Sequence, residues 1–445
     1  MLLLLWIMIN FATIINEYRN KVMKKKLFIL PVLTAALMLF AACGGEDDPT
    51  DNGGGESGGD NTEIPAMNAN EAKQSLQSTA DELLAKINVN EFDDIKQSLN
   101  SIDFEESDVV SDWFSAAKAA CEIKVSNADE AHLWKASNFV GAFQLQGDEW
   151  KQTRKGGSDL TFTFNDSKGR KCVMTVKASD EATKIHHDAF DEEDWYYDEE
   201  GNEIPLRYVN QFMLPKTVNV TLVRNGNTDV DITVNTDVKT DGEIDPGKDE
   251  LEVTSVIKVA GFEVNVSKAS YKAGKTAEAS AVISKNGETL ITVSADAKGS
   301  YSYEDQTLTV NQMNATVDFL GKAKVIGTIS DVEKYNSFID KAYENDGDET
   351  WFKKYIESAN KLLDAKLYLN GSTNSSAKLY LSPVLDGYEY EGEVEKYWNY
   401  EEWMEFTDGS KYSVDSYFSE ENFKSVIDQV ESLIDDFKDL FGITD

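Results

Sequence analysis

The chain has 445 residues, 41% of them hydrophobic and 11% aromatic, which excludes wholesale disorder and a polytopic membrane protein. At roughly 150 residues per domain, this length allows up to about three domains. The 43 Lys and Arg residues face 80 Asp and Glu residues, and the net charge of −37 argues against a nucleic-acid partner, because binding nucleic acid requires clustered cations.

The N-terminal region contains two short apolar segments. Residues 1–22 precede Met23 and are interpreted as a misassigned translation start or, alternatively, as an extra hydrophobic segment. Residues 23–42 open with Met23 and three lysines, continue as an apolar run and end in small residues. This order of basic, apolar and small residues is typical of a secretory signal peptide.

Cys43 stands directly after these small residues, and the arrangement resembles the lipobox of bacterial lipoproteins, in which the cysteine is acylated and becomes the mature N-terminus. The acids that follow, Glu46, Asp47 and Asp48, resemble the surface-export signal of Bacteroidetes lipoproteins. The resemblance implies an outer-membrane protein held only by its lipid and facing the cell exterior, with the periplasmic face as the alternative. Residues 43–65 are predicted to be a flexible acidic tether rich in glycine.

Residues 66–136 are predicted to form a helical region. Leu76, Leu83 and Ile87 recur at helical spacing, which places their apolar side chains on one face. Asn90 is predicted to be the N-cap of a following helix, and a third helix is predicted around Trp113. The mature chain is therefore expected to begin with helices after its tether.

From residue 137 onwards the hydrophobic period changes from about 3.6 to 2, which is typical of strands. The pairs Asn225-Gly226 and Asn286-Gly287 predict tight hairpins, because both positions of such a turn need positive φ. Residues 137–445 are therefore predicted to form a long antiparallel β-meander.

Helices are predicted within and after this meander, over residues 331–364 and from an N-cap at Ser419 to near the C-terminus. A meander of this length is too wide to stay flat and should curl. The predicted fold class is α+β, with a curved antiparallel meander that forms a barrel or half-barrel and is packed by N-terminal, middle and C-terminal helices. The helical region and the meander are expected to form one fused unit.

The sequence offers few candidates for reactive chemistry. It contains no His-Glu-x-x-His, nucleophile-elbow, phosphate-loop or dinucleotide motif, so no catalytic residue is predicted and the protein is interpreted as a non-enzyme. Besides the lipidated cysteine, Cys121 and Cys172 remain, and their spacing is compatible with either a disulfide or two buried thiols.

The densest acidic stretch surrounds a Trp-Tyr-Tyr segment. Its members Asp191, Glu192, Glu193, Asp194 and Asp198 could supply the several oxygen ligands that Ca²⁺ requires. Their spacing does not match an EF-hand loop. The stretch is therefore interpreted as a solvated acidic loop and no cofactor is predicted, with a calcium site as the alternative.

Aromatic residues beside carboxylates form a second candidate site. Such rings can stack on sugar faces while neighbouring acids accept hydrogen bonds from hydroxyl groups. The candidates for this role are Trp195, Tyr196, Tyr197, Trp398 and Trp403. The alternative is that these rings alternate along strands and pack in a core.

These observations predict a lipid-anchored envelope protein that acts as a non-enzymatic binding or interaction module. The alternatives are a carrier that holds an apolar ligand in a half-barrel and a glycan-active hydrolase. The expected partners are the membrane, through the anchor only, and a glycan, an apolar ligand or another protein.

Overall fold

The structure, a computed structural model, describes residues 64–102, 104, 107–124, 130–197, 202–304, 307–390 and 393–441. The predicted signal peptide, the lipidated Cys43, the export acids Glu46, Asp47 and Asp48, and Asp198 therefore lie outside the described residues.

The helices are α1 (Ala69–Leu84), α2 (Asp93–Leu99), α3 (Asp108–Ala119), α4 (Val332–Tyr343), α5 (Glu349–Asn360), α6 (Val414–Tyr417) and α7 (Glu420–Phe441), with 3₁₀ turns at Val89–Phe92 and Ala136–Asn138. Polar side chains fix several N-termini, since Asn68 caps α1 and Asp348 caps α5 through backbone N–H groups that the helix leaves unpaired. The N-cap expected at Asn90 is wrong, because that residue lies in a 3₁₀ turn and α2 begins at Asp93.

The strands are β1 (Glu130–Lys135), β2 (Gly141–Gln146), β3 (Glu149–Lys155), β4 (Leu160–Asn165), β5 (Lys171–Ala178), β6 (Ala182–Tyr197), β7 (Glu203–Pro215), β8 (Thr217–Arg224), β9 (Asn227–Lys239), β10 (Glu250–Val259), β11 (Phe262–Lys272), β12 (Thr276–Lys285), β13 (Glu288–Ser302), β14 (Thr307–Phe319), β15 (Ala323–Ile329), β16 (Leu363–Leu369), β17 (Ala377–Tyr390), β18 (Glu393–Phe406) and β19 (Lys411–Ser413). β1 lies inside the region predicted to be helical. The hairpin turns are confirmed, and Asn286 and Gly287 have φ values of 51° and 84°.

Most strands belong to one large, mainly antiparallel sheet with the order β19-β18-β17-β16-β15-β14-β13-β12-β11-β10-β9-β8-β5-β4-β2-β3. The α+β class is confirmed. Among the described strands this order ends at β19 and β3 without closing, so the closed-barrel alternative is wrong. The chain also departs from a simple meander, because β2 runs parallel to β4 and because β6 and β7 leave the large sheet to join β1 in a separate one.

The chain divides into two compact units. Unit 1 contains the chain up to residue 89, residues 290–300 and the chain from residue 309 onwards, and unit 2 contains residues 90–289 and 301–308. No helix among the described elements is both long enough and apolar enough to cross a membrane.

In unit 1, helices pack on one face of the sheet. Leu367 and Leu369 on β16 and Met404 on β18, two strands away, are at most 1% exposed beneath α1, α6 and α7. A second core lies beneath the helix pair α4 and α5, where Phe352 and Ile356 are fully buried. The helices predicted at the start, middle and end of the chain therefore supply the cover of this sheet.

In unit 2, an aromatic core joins α3 and the segment before it to the sheet. Phe104 lies between the rings of Trp150 and Phe162, with ring centroids 5.3 and 4.7 Å away. Met174 on β5 and Leu222 on the neighbouring strand β8 are also buried in this core. The helices of unit 2 therefore cover that end of the sheet.

Candidate functional site

The two faces of strands β8 to β12 differ in chemistry. Side chains alternate between the faces along each strand, and the register aligns Val220, Ile232, Ile257, Val264 and Ile283 in one row across the strands. We call the face that carries this row the apolar face. Its next row consists of Val218, Val234, Ser255, Val266 and Ala281.

The opposite surface, which we call the polar face, is covered with hydrogen bonds between strands. Asn219 Nδ2 donates to Asp231 Oδ1 at 3.1 Å and to Thr233 Oγ1 at 3.0 Å. Asn235 Nδ2 donates to Thr254 Oγ1 at 3.3 Å on the next strand. These polar side chains form hydrogen bonds with one another, so this face can remain in contact with solvent.

The apolar face is only partly covered. Met174 and Leu222 at one end are buried under α2 and α3, and Ile232 is 7% exposed. Val220, Val264 and the other aliphatic residues of the two rows remain part-exposed. Strands that alternate Val and Ile with polar residues normally bury their aliphatic side against another layer. The apolar face could therefore bury further apolar surface against a ligand or another protein.

Charged residues form a rim at one end of the apolar face. Arg224 and Lys285 follow its alternation at the ends of β8 and β12, and Arg170 directly precedes β5. Their side chains are 16, 11 and 21% exposed, respectively. The apolar face therefore ends in partly buried cations, which we call the cationic rim.

A short segment of chain, residues 90–99, which we call the strap, lies on this rim. Asp94 accepts from Arg170 Nη1 at 2.7 Å and lies 3.1 Å from Arg224 Nη2, while Glu91 pairs with Lys285. The strap also makes apolar contacts, since the ring of Phe92 stacks on Phe262 of β11 with centroids 5.9 Å apart, and Ile95 is buried. The strap combines charged and apolar contacts with the sheet.

The sheet itself provides further partners for the two arginines. Arg224 Nε and Nη2 donate to both oxygens of Asp229 at 2.7 and 3.0 Å. Arg170 Nε donates to Asp166 Oδ2 at 2.6 Å, and the Asp166 side chain is fully buried. Each guanidinium thus has one acid from the sheet and shares Asp94 of the strap.

These contacts shift the pKa values of the acids. A hydrogen bond from Arg170 lowers the pKa of Asp94, and the charge of Arg224 adds to this effect. Burial alone would raise the pKa of Asp166, but hydrogen bonds from the backbone N–H and the guanidinium of Arg170 and from the Lys168 N–H outweigh it and lower that pKa. Both acids therefore stay ionised below the ordinary Asp range.

A pocket of about 540 Å³ opens among the strap and the neighbouring hairpin tips. Ile95 of the strap lines it, together with Val259 and Phe262, which continue the alternation of the apolar face. Asp94 and Arg224 of the rim also line this pocket. Apolar and ionic groups thus meet at one end of the apolar face.

The predicted acidic loop is wrong, because residues 191–194 belong to strand β6, which pairs with β7. A register shift between Asp191 and Trp195 marks an irregularity in this pairing. The side chains of Asp191, Glu192, Glu193, Asp194, Trp195, Tyr196 and Tyr197 lie outside the described set, as does all of Asp198. Where side chains are described, no three or more His, Cys, Asp and Glu residues are grouped to hold a metal ion.

The remaining aromatic candidates do not share a surface. Trp398 and Trp403 lie on opposite faces of β18, because they are an odd number of positions apart along the strand. Trp398 packs in the core beside Phe352, at a centroid distance of 6.5 Å, with Lys353 Nζ over its ring. Trp403 Nε1 donates to Glu401 at 3.3 Å. For Trp398 the structure favours the core interpretation.

Cys121 and Cys172 are both buried and free, so the alternative of two buried thiols describes the structure. Cys172 belongs to the aromatic core of unit 2. Neither thiol lies on the apolar face beyond the cover of the helices.

Sequence reasoning missed the apolar face and its cationic rim. The alternation in each strand can be read from the sequence, but the alignment of five strands into aliphatic rows depends on the register.

In comparisons with known proteins, no family, curated protein or solved structure was found to match the chain.

Proposed function

We propose that this protein is a lipid-anchored, non-enzymatic binding module of the cell envelope whose ligand is apolar and lies on the apolar face of unit 2. The observation that supports it is the contrast between the faces of β8 to β12. One face carries mostly polar side chains, with Val256 and Val282 among them, whereas the other presents aligned rows that are almost entirely aliphatic and mostly part-exposed. Contiguous apolar surface of this kind is typical of a site for a ligand or partner.

An extended hydrocarbon chain fits this surface better than a compact polar molecule. The rows contain aliphatic side chains with only Ser255 as a polar member, so they provide dispersion contacts and few hydrogen bonds. Each 100 Å² of apolar surface that a ligand covers contributes about 2.5 kcal/mol. This favours an acyl chain and, of the two alternatives, favours the carrier over the glycan hydrolase.

The proposed anchor comes from the sequence around Cys43 and the acids after it. We expect Cys43→Ala to abolish labelling by a clickable palmitate analogue and to move the protein out of the membrane fraction. Retention of the label, or of membrane fractionation, in that variant would contradict the anchor without bearing on the apolar face.

The ligand proposal can be tested with N-phenyl-1-naphthylamine, a neutral dye whose fluorescence rises in apolar surroundings. Val264 and Asn265 are adjacent on β11 and lie on opposite faces, which makes them a matched pair. We expect Val264→Lys to weaken dye binding by about tenfold or more, because it places a charge within the apolar rows. Asn265→Lys on the polar face should leave binding unchanged.

A second variant separates loss of the site from loss of the fold. Ala281→Trp fills the apolar face with a large ring and adds no charge, so it should also weaken dye binding while the thermal unfolding midpoint stays close to that of the parent. The proposal is wrong if the parent protein does not bind the dye, or if Val264→Lys and Asn265→Lys have equal effects.

A further inference from the structure

The cationic rim is unusual in so acidic a chain. Arg170, Arg224 and Lys285 lie along one edge of the apolar face, where the arginines share Asp94 and Lys285 pairs with Glu91, although acids outnumber bases in the sequence by 80 to 43. All three side chains are mostly buried, and burying a cation is unfavourable unless an anion is close. Anions are therefore required at this end of the strands.

In the structure the strap supplies this anion. Its carboxylates, Glu91 and Asp94, contact Lys285 and the two arginines, and these acids are 38 and 39% exposed. The acids that belong to the sheet, Asp166 and Asp229, are much less exposed, at 0 and 12%. The strap acids are therefore the partners of the cations that another anion could replace, whereas Asp166 and Asp229 stay paired with the arginines.

We infer that the ligand of the apolar face carries an anionic head group, and that the cationic rim binds it when the carboxylates of the strap move away. This inference rests on the proposed function and adds the chemical class of the ligand. An acyl chain with a carboxylate or phosphate end would lie across the aliphatic rows, parallel to the strands, and place its charge at the cationic rim. The head group would then take the place of the strap carboxylates as the anion beside these cations, while Asp166 and Asp229 stay paired with the arginines.

The other explanation of these contacts is that the ion pairs only fasten α2 to the sheet. The two explanations predict opposite effects of neutralising a strap acid. If the strap acids only hold α2 on the sheet, neutralising one of them loosens the strap and favours no class of ligand. If they compete with the head group of the ligand, neutralising one of them makes an anionic ligand bind more tightly and leaves the binding of a neutral ligand unchanged.

The experiment uses 11-(dansylamino)undecanoic acid and its methyl ester, which share a chain and a fluorophore and differ only in the charge of the head group. For Glu91→Gln we expect the acid to bind about fivefold more tightly than it binds to the parent, the change expected for about one ordinary hydrogen bond. For Lys285→Gln we expect the acid to bind about fivefold more weakly. The affinity of the ester should stay unchanged in both variants.

The matched control is Glu252→Gln, which removes one acid from an exposed position on the polar face. It should change neither probe, which separates the effect of the strap from that of net charge. Asp94→Asn provides a second strap variant if Glu91→Gln lowers the thermal unfolding midpoint. A phosphate-ended chain in place of the carboxylate then distinguishes the two sources of the anionic head group by their relative affinities.

The outcomes separate the two proposals. If acid and ester bind the parent and both variants alike, the anionic head group is refuted while binding to the apolar face stands. If Glu91→Gln weakens both probes, the strap is only a cover and the inference is wrong. If neither probe binds the parent protein, the proposed function itself fails.

Discussion

The sheet faces of the two units have similar side chains but different surroundings. In unit 1, Leu367 and Met404 are buried under helices that bring their own apolar stripes, such as Phe423 and Ile427 of α7. In unit 2, α2 and α3 cover one end of the apolar face, and the rows through Val264 remain part-exposed. An alternating strand therefore shows which side is apolar, whereas the neighbouring elements decide whether that side is core or binding surface.

A leucine pair provides the sharpest test of this comparison. Leu367 of β16 is 1% exposed, whereas Leu251 of β10 is part-exposed and follows the alternation of the apolar face. We expect Leu367→Ala to lower the free energy of unfolding by about 3 kcal/mol, through lost transfer energy and the cavity left behind. Leu251→Ala should lower it by about 1 kcal/mol or less, since its side chain loses fewer contacts.

Urea unfolding with hydrogen exchange as the readout measures this pair, because exchange reports each unit by its own peptides. Equal destabilisation by the two substitutions would mean that the apolar face of unit 2 is as tightly packed as the core of unit 1. The comparison would then no longer distinguish a binding surface from a core.

Asp166 provides a test of acid sensitivity in unit 2. Its pKa is lower in the folded chain than in the unfolded chain, because the hydrogen bonds from Arg170 outweigh burial. Its stabilising contribution is therefore complete above the ordinary Asp pKa and is lost as the pH falls through the folded value. We expect Asp166→Asn to destabilise unit 2 by about 2 kcal/mol at pH 7.

The difference between Asp166→Asn and the parent should shrink as the pH falls below the ordinary Asp pKa, since the unfolded parent then gains a proton that the folded carboxyl takes up only at lower pH. Urea midpoints from pH 7 down to pH 3 measure this trend, with exchange in peptides of unit 1 as the internal control. A difference that stays constant across this range would show that the charge of Asp166 does not stabilise the rim.

The smallest expected effect concerns a hydrogen bond in the covered core of unit 1. The Tyr417 hydroxyl donates to the backbone oxygen of Ala69 at 2.7 Å and so joins α6 to the start of α1. Tyr417→Phe keeps the ring and leaves this carbonyl without its donor, so we expect a loss of about 1 kcal/mol. Faster hydrogen exchange should appear in α1, and an unchanged α1 would indicate that ring packing alone holds the helix.

Local chemistry explains what the sequence could predict. The hairpin at Asn286-Gly287 and the helix that begins after Ser419 depend on residues within a few positions of one another, and both are present. The α+β class follows from the change of hydrophobic period along the chain. None of these predictions requires knowledge of which distant segments become neighbours.

The candidate site depends on long-range register and could not be predicted in this way. Val264 and Ile283 align only through the pairing of β11 with β12, which contains a register shift between Val266 and Lys268. The acidic residues 191–194 have low strand propensity, yet they lie within β6, at an irregularity between the partners Asp191–Leu206 and Trp195–Pro205. The export acids and Cys43 remain predictions from the sequence.

Photocrosslinking most directly tests whether the apolar face is the binding surface. A fatty acid with a diazirine on its chain would be bound to the purified protein, irradiated and mapped by peptide mass spectrometry. The account predicts labels concentrated on Val220, Ile257, Val264 and Ile283, with little label on Asn265. Labels concentrated on the polar face, or on the helices of unit 1, would contradict it.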